Sequence, residues 1–453
     1  MELIMLFTKE YWLNCIDRTK RYIKTFIKWI ICSIIIGTTC GAVGTVFHYS
    51  VEYVTKYRDS HSWIIYLLPL AGLVIIFLYR SCGLKHDKGT NLVIGSIRNS
   101  EYNVPFRMAP LIFISTAITH LFGGSAGREG AALQIGGSIG ASIGKLVKMN
   151  DNDKHIMTLC GMSAVFAALF GTPVTAALFS VEVISIGILY YSALVPCILS
   201  ATIAYAITEK FHITPTYFIL NQVPEMSLAT GIRVVILAVV VAIVSILFCL
   251  SMQATGKAFK KFFKNQYVRI FVGGVLVVLL TILVRSNDYN GAGMNIMEQA
   301  IHGEAKPEAF LLKLIFTCIT IGCGFRGGEI VPSFFIGATV GCTVGGWIGL
   351  DPGFGAAMGL VCLFCGVVNC PLASLVLSIE LFGASGILLF AIGASVSYML
   401  SGYYSLYNEQ KIIYSKLRPH YVNLYTNQEI RTKEPGFLEG FLRIREDDAD
   451  DVE

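Results

Sequence analysis

Long apolar runs of unequal length decide what this chain can fold into. "WIICSIIIGTTCGAVGTVF" (29–47), "WIIYLLPLAGLVIIFLY" (63–79), "VVILAVVVAIVSILFCL" (234–250) and "IFVGGVLVVLLTILV" (270–284) recur along nearly its whole length. A membrane-crossing helix takes about 17–25 residues, so several runs are long enough and others fall short. Lipid offers no hydrogen bonds, so a helix that stops inside it must have its free backbone groups met by protein, water or a ligand. Hydrophobic residues make up 54% of the 453 positions and charged ones 14%. The reading is an all-α polytopic membrane protein with about ten or more apolar segments, lodged in a lipid bilayer.

Two uses compete for the 44 glycines. One is close helix–helix contact, which in membranes favours small residues. The other is the broken helix, whose free end lines an ion site. The 13 cysteines lie mostly inside apolar runs and show no metal-ligand spacing. They read as buried small hydrophobes, with no metal, no cofactor and no disulfide framework.

Basic residues cluster between the apolar runs. Lys9, Arg18, Lys20, Arg21, Lys24 and Lys28 precede the first; Lys257, Lys260, Lys261, Lys264 and Arg269 separate two later ones; Lys411, Lys416 and Arg418 follow the last. By the positive-inside rule these regions and both termini face the cytoplasm. No nucleic-acid partner is implied. The N-terminus runs straight into a full-length span, unlike a cleavable signal peptide. The tail ends in "EDDADDVE", which reads as a solvated acidic run.

Glycine spacing reveals a duplication. Gly127 is followed by Gly136, Gly140 and Gly144, and Gly328 by Gly337, Gly341 and Gly345, with identical steps. Pro173 and Glu182 in "GTPVTAALFSVEV" match Pro371 and Glu380 in "NCPLASLVLSIEL". Gly161 and Gly359 keep the offset of that second pair. The chain therefore divides into segment 1–28, a repeat half 29–208, a linker 209–228, a second half 229–410 and a tail 411–453. Repeats of this kind, with an ion site where broken helices of both halves meet, mark secondary transporters.

Each half places a glycine-rich turn before a helix-like pattern. A helix N-terminus carries unpaired N–H groups and partial positive charge, and so favours an anion. Two such starts converging make an anion site without a buried lysine. Glu129 in "FGGSAGREGAALQIGGSIGASIG" (122–144) opens one of them. Ionised, its carboxylate mimics the anion; protonated, it can withdraw. Arg128 reads as structural, pairing or capping nearby carbonyls. Glu329 occupies a similar place in "GGEIVP", at a different spacing. Glu182 and Glu380 read as paired structural acids bonded to backbone, and His120 as a hydrogen-bonded packing residue. Ser125 near His120 is the sole faint sign of an intramembrane enzyme, which would need a nucleophile with a base. The chain reads as a transporter and not an enzyme.

These residues resemble a known family. "GSAGREG" is similar to the GREGP-type motif of the CLC anion channels and proton-coupled antiporters. "FRGGEIVP" resembles their second filter motif, and "SLY" ending at Tyr407 resembles the segment with their anion-coordinating tyrosine. The resemblance implies an inverted-repeat fold with broken and re-entrant helices, and a homodimer with one pathway per subunit. It makes Glu129 the gating glutamate and Tyr407 the central tyrosine, and turns the backbone N–H groups of Glu329 and Ile330 toward the anion. "KGTNLVI" stands where chloride members carry a GSGIP-type segment, which puts Thr90 at their selectivity position. "THLFGGSAGREG", "FGTP" and "GGEIVP" are similar to the bacterial fluoride/proton antiporters of the family. Val183 stands where many chloride/proton antiporters keep an inner proton-handling glutamate, and Val331 where the fluoride branch often has threonine.

The implied activity is export of fluoride in exchange for protons across a bacterial cytoplasmic membrane, without cofactor. Glu129 gates and carries the proton. Thr90, Gly127, Arg128, Gly130, Glu329, Ile330 and Tyr407 form the anion site. A chloride channel or chloride/proton exchanger of the same fold is the alternative. A small, strongly hydrated ion needs donors to replace its water, and two hydroxyls plus backbone N–H groups supply them.

Overall fold

The computed structural model describes residues 9–84, 88–99, 102–417 and 421–428. Eight α-helices precede an extended connection: α1 (Lys9–Ser60), α2 (Leu68–Ser81), α3 (Thr90–Arg98), α4 (Met108–Leu121), α5 (Glu129–Leu146), α6 (Asp151–Phe170), α7 (Pro173–Glu182) and α8 (Leu194–Lys210). Eight follow it: α9 (Leu228–Phe262), α10 (Gln266–Val284), α11 (Met294–Ile301), α12 (Ala309–Cys323), α13 (Ile330–Trp347), α14 (Pro352–Val368), α15 (Pro371–Phe382) and α16 (Ile387–Leu400). Among the described residues, six helical stretches are long and apolar enough to cross a membrane, and six apolar helices of 10–17 residues are shorter. The unequal apolar runs thus become whole and broken helices, as their lengths demand.

The duplication is built into the packing. Prolines start α7 and α15 where their missing N–H is harmless. The remaining first-turn donors of each helix are met by the acid at the far end of the other. Glu182 accepts from Leu372 and Ala373 N–H at 3.1 and 2.9 Å; Glu380 accepts from Val174 and Thr175 N–H at 3.0 and 2.9 Å. Start meets end in both directions, so these equivalent helices run antiparallel. The repeat is inverted.

Glycine makes the helix pairs of each half close. A Cβ at Gly136 would stand 2.0 Å from the Gly161 carbonyl oxygen, and one at Gly337 would stand 2.4 Å from that of Gly359. Both are backbone contacts that cannot yield. The shared glycine spacing is therefore the footprint of one helix contact, α5 on α6, made again as α13 on α14.

Three segments outside the two repeat halves also carry ordered structure. Among the described residues the first helix runs from Lys9 to Ser60, so residues 9–28 are continuous in helix with the first apolar run. The connection between the halves bonds to both of them, Thr216 N–H to Phe170 C=O and Phe218 N–H to Leu381 C=O. The start of the tail also folds onto the membrane part. Strand β2 (Lys411–Tyr414) pairs in parallel with β1 (Ser185–Ile186) and antiparallel with β3 (Tyr421–Tyr425). Arg418 and the acidic run 446–453 lie outside the described residues.

Candidate ion-binding site

The two glycine-rich turns meet inside the protein. Gly127 and Gly328 bond N–H to C=O at 2.7 Å in both directions, an isolated antiparallel bridge. One residue later in each chain segment comes the cap, and then the helix: α5 opens at Glu129 and α13 at Ile330. The bridge holds two helix N-termini beside each other, each with first-turn N–H groups unbonded within its own helix.

Into this junction goes the Glu129 carboxylate, which is 1% exposed. Its Oε2 accepts from Arg128 N–H at 2.9 Å. The N–H groups of Glu129 itself and of Val331, in the first turn of α13, also face it. Gly127 leaves the space: a Cβ there would stand 2.5 Å from Oε2 and 3.0 Å from the Val331 Cβ. A carboxylate of one half thus rests against the helix start of the other.

Gly127 and Gly328 are equivalent positions of the repeat, so Glu329 is the counterpart of Arg128, and Ile330 that of Glu129. Glu329 is accordingly the N-cap residue of α13, whereas Glu129 is the first residue of α5. The different spacing of the two glutamates read from the sequence is this offset of one position. The Glu329 Oε2 is buried and has no hydrogen-bond partner among the described residues. It lies over Gly130, where a Cβ would stand 3.2 Å from it.

Arg128 anchors the turn. Its Nη1 meets His48 Nδ1 at 3.2 Å, its Nη2 donates to the Leu169 carbonyl at 3.4 Å, and its Nε lies 3.6 Å from Glu129 Oε1. Leu169 belongs to the last turn of α6, whose carbonyls need such a donor. His120 is buried and hydrogen-bonded to the Gly127 backbone. The Ser125 hydroxyl pairs with Thr317 at 3.0 Å, so no serine–histidine pair forms there.

On one side of the junction lies a cavity of about 1260 Å³, whose walls include Thr90, Gln134, Glu329 and Tyr407. Lys257, Lys260, Lys264 and Arg269, from the basic stretch around the α9–α10 turn, line the same cavity. Tyr407 is 1% exposed, and its hydroxyl has no partner among the described residues. Thr90 is the first residue of α3. Gly89, with a φ of 61°, takes the cap position, so Thr90 does not cap its own helix. Its hydroxyl instead reaches across to the Gly130 carbonyl at 3.4 Å.

Of the residues expected to face an anion, Thr90, Glu329 and Tyr407 share the cavity, and Ile330 opens α13 beside them. Arg128 offers its backbone N–H, which Glu129 now holds. Gly127 does not fit its expected part. Its N–H and C=O are both bonded to Gly328, which leaves it no donor for an ion. Gly130 contributes space and a carbonyl.

Two further residues escaped the sequence reading. Gln134, the one amide side chain in "EGAALQIGGSIG", donates from Nε2 to Thr90 Oγ1 and to the Gly130 carbonyl, each at 3.2 Å. Glu409 ties the Tyr407 segment to the start of α3. Its N–H donates to Asn91 Oδ1 at 3.1 Å, its carboxylate accepts from Lys88 at 3.2 Å, and its carbonyl accepts from Arg98. Hydrogen bonds to Tyr102 and Glu409 hold Lys88 above the ordinary lysine range.

The family model of the voltage gated chloride channels matches residues 71–402. The chain belongs to the CLC family. A "chloride/fluoride channel protein" of Pseudomonas syringae pv. tomato is 34% identical to it over 395 residues, 86% of this chain and 87% of that one. The crystal structure of a CLC-type fluoride/proton antiporter superposes with a TM-score of 0.83 at 31% identity, over 85% of this CLC chain and 98% of that structure. A slow cyanobacterial Cl⁻/H⁺ antiporter shares the fold at 19% identity, with a TM-score of 0.70 over 82% and 94% of the two chains.

Proposed function

We propose that this CLC protein is a fluoride/proton antiporter that exports fluoride from the bacterial cytoplasm as protons flow in. The observation that carries the reading is the Glu129 carboxylate, lodged between two opposed helix starts and bonded to the Arg128 N–H. A carboxylate held there occupies the place an anion would take. Once protonated it loses the charge that holds it, swings away and lets an anion in; returning ionised, it expels that anion and has carried a proton. Glu129 is thus both gate and proton carrier.

Fluoride needs strong donors to replace its water. The hydroxyls of Thr90 and Tyr407, with the N–H groups of Arg128, Glu329 and Ile330, are the set available to it. The orphaned hydroxyl of Tyr407 supports this, because a buried phenol ordinarily has a partner. Val183 leaves no acid beside Glu182. The inner part of the proton route then falls to Glu329, a buried carboxyl with an unpartnered oxygen on the cavity wall. The lysines around the α9–α10 turn support a cytoplasmic opening for that cavity and would raise the local anion concentration at its entrance. On this reading both termini are cytoplasmic, and the protein works as a homodimer with one pathway per subunit.

Similarity to proteins called a fluoride/proton antiporter and a chloride/fluoride channel supports the same reading. Flux from liposomes holding purified protein tests it, with fluoride and chloride electrodes read together with a proton indicator. Fluoride efflux coupled to proton uptake, with little chloride movement, is the expected result. Rapid chloride flux without protons would make the protein a chloride channel of the same fold.

A further inference from the structure

Thr90 has two lone pairs and one proton, and what its neighbours take decides what it can give. Gln134 Nε2 donates to Thr90 Oγ1 at 3.2 Å, filling one lone pair. The same Nε2 donates to the Gly130 carbonyl at 3.2 Å, which among the described residues is the one acceptor the Thr90 hydroxyl reaches, and at a longer 3.4 Å. Reversing the amide would set its oxygen against the Gly130 oxygen, acceptor to acceptor, so the orientation is fixed by this contact. Gln134 is 4% exposed, and its Oε1 has no partner among the described residues. Gly89 packs beside the amide, where even a Cβ would make only ordinary contact, 3.6 Å from Nε2.

We propose that Gln134 is a positioning residue for anion selectivity: by donating to both Thr90 Oγ1 and the Gly130 carbonyl, it leaves the Thr90 proton for an ion in the cavity. Without it, the Thr90 hydroxyl, which now reaches the Gly130 carbonyl only at 3.4 Å, closes fully onto it and presents a lone pair to the pathway. That change penalises the ion most dependent on hydrogen-bond donors, which is fluoride. The inference rests on the reading of Thr90 as an anion donor, and it adds a residue that touches no ion.

The test is a double-mutant cycle on the full chain in liposomes, read as the ratio of fluoride to chloride flux. Gln134→Met keeps the volume and removes the amide; Thr90→Val removes the hydroxyl. Each single change should lower the ratio about tenfold or more, the scale of one hydrogen bond to a charged group. The double variant should be no worse than Thr90→Val alone, because Gln134 acts through that hydroxyl. Gln134→Asn withdraws the amide by one methylene and should shift the ratio the same way if the Met variant does not fold. A wild type with no fluoride preference overturns both this proposal and the function it rests on. A fluoride-selective wild type whose ratio survives Gln134→Met, or a double variant in which the losses multiply, overturns the Gln134 role alone.

Discussion

Gly127 and Gly328, 201 residues apart, exchange both of their backbone hydrogen bonds at 2.7 Å. That contact between equivalent positions fixes the rest of the site, because each helix start follows directly from it. It also explains why neither residue tolerates a side chain. A Cβ at Gly328 would stand 2.4 Å from the Gly130 nitrogen and 3.1 Å from that of Glu129. Both obstacles are backbone. Gly328→Ala is expected to destabilise the protein by about 1–3 kcal/mol, as overpacking does. A thermal melt in detergent checks this, and an unchanged Tm would show that the bridge is dispensable.

The reciprocal acids give a second expectation. Glu182 and Glu380 each accept two backbone N–H bonds at the start of the other half's helix. Glu182→Gln and Glu380→Gln each turn an amide N–H toward a backbone N–H. Each should cost about 1–3 kcal/mol, and by the symmetry the two should cost similar amounts. Proton coupling should survive in whatever protein remains folded. Loss of coupling in Glu182→Gln at an unshifted Tm would make Glu182 a proton carrier instead.

Tyr407→Phe separates stability from transport. The hydroxyl has no protein partner among the described residues, so removing it orphans none. The melting temperature should stay within a degree or two, while fluoride turnover falls by roughly tenfold or more, the value of a hydrogen bond to an ion. Wild-type turnover in this variant would remove the hydroxyl from the pathway.

Glu409→Gln loosens the tie between the two hydroxyl-bearing segments. Lys88 is about half exposed, so the ion pair itself contributes under about 1 kcal/mol and weakens with salt. Stability should hardly move. The fluoride-to-chloride flux ratio should fall severalfold because Thr90 and Tyr407 no longer share a clamp, and the deficit of the variant should shrink at high ionic strength. A ratio equal to wild type at low salt would show that the Asn91 and Arg98 contacts suffice.

The sequence announced much of this because some contacts leave a periodic trace. Gly136 and Gly337 are visible as glycines since each must lie against a backbone carbonyl, and the matched Pro–Glu pairs are visible since each proline starts a helix that the other acid caps. The resemblance of "GSAGREG", "FRGGEIVP" and "SLY" to CLC motifs then named the fold. Other relations have no local signature. Nothing in "GREGA" tells that Gly127 bonds to Gly328, although the matched glycines already set Glu329 one position before the counterpart of Glu129. Gln134 meets Thr90 across 44 residues, where a lone glutamine in a glycine-rich helix looks like filler. The strand at Lys411–Tyr414 is short and polar-flanked, and it takes its partners from Ser185–Ile186, more than 220 residues away, and from Tyr421–Tyr425.

The measurement that bears most directly on the account is proton movement in liposomes carrying the wild type or Glu129→Gln. An imposed fluoride gradient should drive protons uphill through the wild type. Glu129→Gln should fold, yet move no protons, because a neutral amide cannot take up and release the charge that alternates at the helix starts. Equal uphill proton movement through both would contradict the account and place the gate elsewhere.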